Sequence, residues 1–323
     1  MVIVLIGASL LGILSGVIGV FILLRGQSLL GDAVAHAALP GIVLAFLVTE
    51  SKNILVLLSG GAVSGAAGML LMTLVTTHTR LKKDAAQGMV LSIFFGLGLI
   101  LLTVVQKRPI THQSMLNKFL FGNISTILYQ DLVCIGVITS IVLLFIIIFW
   151  KELVASVFDA SYMQSVGFRQ QSVSFLISIL ILITILIGLQ AVGVILMSTL
   201  LIAPAVAARQ WCDSMRSVVI VSGFFGALSS IMGVLLSNCM VGIPTGPMIV
   251  VVASGLVFFS IMTASFIAKR IKNFSVPPYT GVTQTNTHTQ KNTHTQVRTQ
   301  AYAQSRICFC YMSKKYIKQK DRA

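Results

Sequence analysis

The sequence predicts an all-α integral membrane protein, a polytopic bundle of about eight or nine transmembrane helices. Composition is the first reason: 56% of the 323 residues are hydrophobic and only 10% are charged, whereas soluble domains carry about 25% charged residues. The second reason is that the apolar residues fall into long runs. A run of about 20 apolar residues spans the hydrocarbon core of a bilayer as a helix.

Taken in order, the apolar runs give nine candidate spans: 2–24, 33–48, 54–76, 86–105, 131–149, 172–188, 190–208, 217–239 and 248–268. The first is too long for the apolar part of a signal peptide and has no basic residue before it, so we expect a retained span. The sixth and seventh candidate spans come from one long apolar run, which we divide near Gly188–Gln190. Small residues recur four apart, as in Gly12/Gly16, which favours closely packed helices.

The loops between these runs differ in positive charge, which predicts the orientation of the chain. One set of alternate connections holds 11 Lys and Arg residues, from Arg25 to Lys272, and the other set holds four. Since positive loops stay in the cytoplasm, we expect the N-terminus outside and the C-terminus in the cytoplasm.

The net charge of +15 is concentrated near the C-terminus, where residues 269–323 hold 11 of the 23 Lys and Arg residues. The rest of the chain is nearly balanced, so we expect no nucleic acid partner. Residues 286–296 read NTHTQKNTHTQ, a polar repeat that cannot bury enough apolar surface to fold. We therefore predict two regions, a transmembrane domain over 1–272 and a basic, low-complexity, disordered cytoplasmic tail over 273–323.

An aspartate and a histidine interrupt the second apolar run, in the stretch GDAVAHAALPG (31–41). On a helix, Asp32 and His36 would share one face. Ionisable residues in a span cost about 2.5–3.5 kcal/mol each on insertion scales, and a carboxylate with an imidazole is a partial ligand set for a divalent cation such as Mn, Fe or Zn. The alternative is structural: Asp32 caps the helix and His36 pairs with it.

Prolines inside two apolar runs predict helix breaks that line a path through the membrane. Pro40 lies one turn after His36 and would disrupt the backbone bond to residue 36, while Pro204 lies late in a span and also fits a simple kink. Irregular backbone within a membrane is tolerated where it lines a cavity.

The loop 150–171 reads, after Trp150, KELVASVFDASYMQSVGFRQQ. Its pattern fits a short amphipathic helix ending at Gly167. This segment is either a solvated connector or a helix that docks into a soluble partner. The sequence contains no GxxxxGK[ST] phosphate loop, HExxH or GxSxG motif, so we expect no ATPase or hydrolase activity from this chain and no permanently bound cofactor.

Five blocks, in order, resemble the ABC-3 family, the permease subunits of bacterial manganese, zinc and iron ABC importers. They are LLRGQSLLGDAVAHAALPGIVLAFL (23–47), LNKFLFGNI (116–124), FDASYMQSVG (158–167), AVGVILMSTLLIAPAVAARQ (191–210) and GIPTGPMIVVVASG (242–255). The resemblance covers about residues 5–268 and leaves out the tail.

This resemblance implies a permease like that of vitamin B12 (a type II ABC importer), which forms a homo- or heterodimer with a second permease subunit. It implies cytoplasmic ABC ATPase subunits that hydrolyse ATP, and an extracytoplasmic metal-binding protein that delivers the divalent ion. Asp32 and His36 match the family's intramembrane pair, expected to contact the metal in transit. Asp159, Gly167 and Arg169 fall in the segment that matches the coupling helix against the ATPase.

Three rival functions remain open at this point. The first is a permease for iron chelates or cobalamin, which need a wide and less charged path. The second is an ion-coupled secondary metal transporter that works without an ATPase. The third is a membrane enzyme, against which the missing catalytic motifs argue.

Overall fold

The computed structural model describes residues 2–49, 54–107, 129–158, 170–212, 214–239 and 245–272. Within these ranges all regular structure is helical, which confirms the all-α prediction. The helices are α1 (Val2–Leu24), α2 (Leu30–Thr49), α3 (Ile54–His78), α4 (Lys83–Gln106), α5 (Tyr129–Ile148), α6 (Trp150–Phe158), α7 (Gln170–Ala191), α8 (Val194–Arg209), α9 (Met215–Cys239) and α10 (Thr245–Lys272). The tail, residues 273–323, lies outside the described residues, so the boundary after 272 stays a prediction.

Eight of these helices are long and apolar enough to cross a membrane: α1 to α5, α7, α9 and α10. The chain is therefore a multi-pass membrane protein. The seventh predicted span, 190–208, corresponds to α8, which has 16 residues. At 1.5 Å per residue it is about 24 Å long, short of the roughly 30 Å hydrocarbon core.

The division between α7 and α8 lies at Gly193, a few residues after the predicted position. Gly193 has φ 89°, a left-handed conformation that costs a residue with a Cβ but not glycine. The amide of Val192 still donates to the Gly188 carbonyl at 2.7 Å, so α7 closes its last turn before the chain reverses. The turn is thus set by one glycine, and the polar Gln190 stays within α7.

α1 and α9 pack with their backbones in close contact along a seam of small residues. A Cβ at Gly12 would collide with the carbonyl oxygen of Gly226, and a Cβ at Gly226 with that of Gly12. Farther along the seam, the hydroxyl of Ser222 donates to the carbonyl of Gly16 at 2.7 Å. The i, i+4 spacing of small residues in the sequence therefore does mark a helix contact here.

α2 packs against α3 in the same manner, and the two helices are antiparallel. A Cβ at Gly41 would collide with the carbonyl oxygen of Gly60, and a Cβ at Gly68 would lie 2.6 Å from the Cβ of Ala37. The Ser64 hydroxyl donates to the Ala37 carbonyl at 2.6 Å. α2 is thereby held on one side by a rigid neighbour.

α4 lies beside α2 and runs in the same direction. The rings of His36 and Phe95 are in contact, and three residues further along α4 a Cβ at Gly98 would lie 3.5 Å from Cδ of Pro40. Residue numbers thus rise together along the two helices. This parallel pairing places the face of α2 that bears His36 against α4.

Candidate functional site

Asp32 and His36 are the third and seventh residues of α2, which begins at Leu30 rather than at residue 33. Oδ1 of Asp32 lies 3.5 Å from Nε2 of His36, as the i, i+4 spacing predicts. The side chain of His36 is 15% exposed and that of Asp32 is 32% exposed. The pair is therefore partly shielded and still open on one side.

The imidazole of His36 is held by an aromatic ring and not by a second polar group. Its ring meets Phe95 of α4 edge to face, with centroids 4.7 Å apart and planes at 70°. Nδ1 is buried and has no hydrogen-bond partner among the described residues. A metal-binding histidine normally donates its other ring N–H to an acceptor, so here orientation comes from packing.

In the structural alternative, Asp32 would cap the N-terminus of its helix. Asp32 instead lies inside the first turn of α2, with the amide of Ala33 already donating to the carbonyl of Leu29 at 2.9 Å. A carboxylate in the first turn is favoured by the helix dipole by about 0.3–1 kcal/mol. The dipole of α2 therefore favours the charge of Asp32 at this position, although Asp32 is not the N-cap residue.

Both prolines predicted to break their helices lie within continuous helices, so the expected interruptions are not present. Pro40 is inside α2 and Pro204 is inside α8, and both are buried. A proline removes a single backbone bond, and neighbouring helices compensate for that loss in membrane helices. Pro40 packs near Gly98 of α4, where the missing side chain leaves room for the proline ring.

Glycine also brings α2 close to α8. A Cβ at Gly31 would lie 3.0 Å from Cδ1 of Leu201, three residues before Pro204 in α8. The residue just before Asp32 therefore faces α8, while His36 turns toward Phe95 of α4. The start of α2 is enclosed on two sides, and sequence spacing alone gives neither neighbour.

No group of three or more His, Cys, Asp or Glu side chains comes together among the described residues. Asp32 and His36 therefore offer one oxygen and one nitrogen donor. A divalent transition metal takes at least four ligands in stable sites. Two protein donors suit a site that binds and releases an ion, with the remaining ligands coming from water, neutral oxygens or a second chain.

One buried polar residue of α4 was not singled out by the sequence. Gln87, in the first turns of α4, is only 2% exposed, and its Oε1 has no partner within the described part of the chain. Phe95 was missed too, because an aromatic residue in an apolar run gives no signal. The signal for Gln87 was available, since a carboxamide is out of place near the start of an apolar span.

The coupling residues Asp159, Gly167 and Arg169 lie outside the described residues, and so does the predicted helix end at Gly167. What precedes them is described: α6, Trp150–Phe158, whose Leu153 is 1% exposed. Trp150 meets Phe21 of α1 edge to face at 6.4 Å between ring centroids. The segment leading to the predicted coupling residues is therefore anchored on α1.

Arg25 follows α1 directly and is half-buried. Burial lowers the pKa of its guanidinium to about 10, because the charged form loses hydration. The group remains protonated at neutral pH. A positive charge is thus kept at the connection between α1 and the helix that bears Asp32.

Known proteins of similar sequence are membrane proteins of metal transport systems. A sequence model described as the ABC 3 transport family matches residues 1–264. The chain is 46% identical over 259 residues to the zinc transport system membrane protein TroC of Treponema pallidum, with 80% of this chain and 87% of that protein aligned. It is 43% identical over 261 residues to the manganese transport system membrane protein MntC of Bacillus subtilis, covering 81% of this chain and 60% of that longer protein.

Among solved structures, the fold is similar to that of PsaBC from Streptococcus pneumoniae in complex with Fab. The TM-score is 0.70 at 32% sequence identity, over 80% of this chain and 89% of that one.

Proposed function

Because the chain belongs to the ABC 3 transport family, we propose that it is the membrane-spanning permease subunit of an ATP-driven importer of divalent transition-metal ions. Manganese and zinc are the metals named for the two relatives above, and iron is a further cation that oxygen and imidazole donors accept. The observation that carries the proposal is the Asp32–His36 pair, with its buried, unpartnered Nδ1, in a chain of this family.

The pair serves as a transient contact for the ion. A divalent cation in a low-dielectric region needs a compensating anion, and the carboxylate of Asp32 is within 3.5 Å of an imidazole nitrogen. The ion binds between them, displaces the weak contact that they make with each other, and moves on when the helices shift. The faces of α2 and α8 that carry Pro40 and Pro204 line this path, as packed surfaces within continuous helices.

The partners of this chain supply energy and specificity. ATP is hydrolysed by separate cytoplasmic ABC ATPase subunits, which contact the segment around Asp159, Gly167 and Arg169. An extracytoplasmic metal-binding protein delivers the ion, and a second permease subunit completes the path. Movement of the coupling segment passes through α6 to α1, which it contacts at Trp150 and Phe21.

The chain lies in a bacterial inner membrane with its N-terminus outside and its C-terminus in the cytoplasm. Eight full spans would return the two ends to the same side, so α8 counts as a ninth crossing that is short and protein-covered. The burial of its own side chains supports this, since Leu200, Leu201 and Ala205 of α8 are at most 1% exposed. In this orientation α2 begins at the cytoplasmic side, and Asp32 lies near the inner end of the path.

The test is metal uptake into proteoliposomes containing this permease with or without its ATPase, loaded with ATP or ADP. We expect uptake of Mn²⁺ or Zn²⁺ only when ATPase and ATP are both present. Uptake at the same rate without the ATPase, driven by a proton or sodium gradient, would establish a secondary transporter and contradict the proposal.

A further inference from the structure

Four helices, α1, α8, α9 and α10, touch one another through their backbones. A Cβ at Gly19 of α1 would collide with the carbonyl oxygen of Leu201 in α8. A Cβ at Gly233 of α9 would lie 2.5 Å from Cα of Ile249 in α10, and the α1–α9 contact at Gly12 is of the same kind. Backbones packed this closely must separate before they can slide. We therefore expect these four helices, the α1 unit, to move together.

Two hydrogen bonds tie α10 to the end of α8 within the α1 unit. The indole N–H of Trp211 donates to the Ser260 hydroxyl at 2.8 Å, and that hydroxyl donates to the carbonyl of Ala207 at 2.9 Å. Ser260 is 1% exposed, so water does not compete for these bonds. The unit is thus joined at this end as well.

The helices α2, α3 and α4 form a second unit, the α2 unit. α2 and α3 touch through their backbones at Gly41 and Gly60. α4 packs on α2 at Gly98, where a Cβ would lie 3.5 Å from Cβ of Leu39. The helix that bears the Asp32–His36 pair is therefore held to α3 and α4.

The boundary between the two units, where α2 meets α8, is of a different kind. A Cβ at Gly31 of α2 would lie 3.0 Å from Cδ1 of Leu201 and 4.0 Å from Cα of Ser198. The first atom is the end of a side chain that can change its rotamer, and the second is at ordinary van der Waals distance. The α2 unit can slide along α8 here without forcing two backbones apart.

The corner between α1 and α2, residues 25–29, connects the two units along the chain. Gly26 has φ 65°, and no atom of the described residues lies within 4 Å of a Cβ at that position. Its left-handed conformation is therefore not imposed by a neighbouring helix. Ser28 and Leu29 are exposed, so the corner can turn with little loss of packing.

We propose that the α2 unit moves as one body against the α1 unit during transport, turning at Gly26 and carrying the Asp32–His36 pair with it. This rests on the proposed function, because transport requires the ion contact to face first one side of the membrane and then the other. The sliding boundary passes between Gly31 and α8, one residue before Asp32. The pair would thus change its surroundings while its own geometry is preserved.

Two engineered disulfides separate movement between the units from movement within one. Gly31→Cys with Ser198→Cys joins α2 to α8 across the boundary, where a Cβ at residue 31 lies 4.0 Å from Cα of Ser198. Leu39→Cys with Gly98→Cys is the matched control inside the α2 unit, with Cβ atoms 3.5 Å apart. Both positions suit a disulfide, in which the Cβ atoms are about 3.5–4.5 Å apart. The five native cysteines are first replaced by alanine.

The first measurement is uptake of Mn²⁺ and Zn²⁺ by the complete importer in proteoliposomes, with each pair oxidised and again after reduction by dithiothreitol. We expect the 31–198 disulfide to abolish uptake and its reduction to restore uptake. The 39–98 disulfide should leave uptake unchanged, because it joins helices that already move together.

The second measurement is the yield of each disulfide in the complete importer, without nucleotide and with ATP and vanadate, and it does not depend on uptake. We expect the yield of the 31–198 disulfide to change between the two states and the yield of the 39–98 disulfide to stay constant.

Normal uptake with the 31–198 disulfide, equal loss of uptake with both disulfides, or a constant 31–198 yield would overturn the inference. Failure of the 31–198 pair to form a disulfide in either state would contradict the packing on which it rests. Uptake by the unmodified importer tests the proposed function separately. If that importer transports metal and the 31–198 disulfide form does too, the function stands and the sliding movement is rejected. If the unmodified importer transports no metal with ATP, the function is rejected, and the yields still decide whether the units move.

Discussion

The α1–α9 seam and the α2–α4 seam are built from similar helices but handle polar groups in opposite ways. Along α1–α9, backbones touch at Gly12 and Gly226 and the Ser222 hydroxyl donates across the seam to Gly16. The one described exception there is the Ser230 hydroxyl. Along α2–α4, the imidazole of His36 packs on Phe95 with a buried Nδ1 that has no partner among the described residues, and the side chain of Asp32 stays 32% exposed. The first seam pairs most of its polar groups across the two helices, whereas the second leaves a buried imidazole nitrogen without a partner among the described residues.

The sharpest test of this difference is Asp32→Asn. Asparagine keeps the size of the side chain and the capacity to support a helix start, but it removes the negative charge that a cation requires. We expect uptake of Mn²⁺ and Zn²⁺ to fall about 100-fold at matched expression, with little change in stability. Isotope uptake by the reconstituted importer is the measurement, and near-normal uptake would make the second seam structural as well.

In the α1–α9 seam we expect the substitution Gly226→Val to lower the stability of the fold. Any side chain here collides with the backbone of α1, so the helices must separate, at a cost of about 1–3 kcal/mol. Thermal unfolding in detergent should show a lower midpoint. Gly255→Ala is the matched control, because nothing lies within 4 Å of a Cβ at Gly255. Equal midpoints for the two variants would contradict the close packing of α1 and α9.

His36→Gln should reduce transport less than Asp32→Asn does, because it removes a neutral ligand and not the compensating charge. The loss is expected to be larger for Zn²⁺ than for Mn²⁺, since glutamine replaces imidazole nitrogen by a harder oxygen donor. Competition between the two isotopes in one uptake assay gives the ratio directly. An unchanged ratio would show that His36 does not contact the ion.

Two serine variants compare a hydrogen bond in the α1–α9 seam with one that holds α2 on α3. Ser222→Ala removes the bond to Gly16, and Ser64→Ala removes the bond from α3 to Ala37 of α2. Hydrogen bonds between membrane helices contribute about 0.6 kcal/mol on average, so both should lower stability slightly. Only Ser64→Ala, which frees the helix that bears His36, should also alter the apparent KM for metal. Identical transport by the two variants would argue against this distinction.

The smallest effect is expected from deleting residues 276–323. The family match ends at residue 264, and the tail is polar and repetitive, so a truncated chain should insert and transport as the full chain does. Uptake at equal membrane content tests this. A truncated chain that inserts normally but loses uptake would assign the tail a role in transport.

The spans and the Asp32–His36 contact could be predicted because they depend on local periodicity. A run of apolar residues predicts a span whichever helices pack against it. A four-residue spacing brings two side chains together on any helix. Phe95 and Gln87 could not be placed, because their relation to α2 depends on the parallel register of two helices that are about 60 residues apart in sequence. The breaks expected at Pro40 and Pro204 were wrong because packing compensates for one missing backbone bond.

The position of Asp32 and His36 at the start of α2 also bears on biogenesis. Both lie within about two turns of the helix end, so neither has to rest at the bilayer centre, where a charge on an isolated helix is most costly. Each is also the other's nearest polar neighbour within the same segment. α2 can therefore enter the membrane as an ordinary span as soon as it is synthesised, and the imidazole of His36 is fixed only later, when α4 packs Phe95 against it.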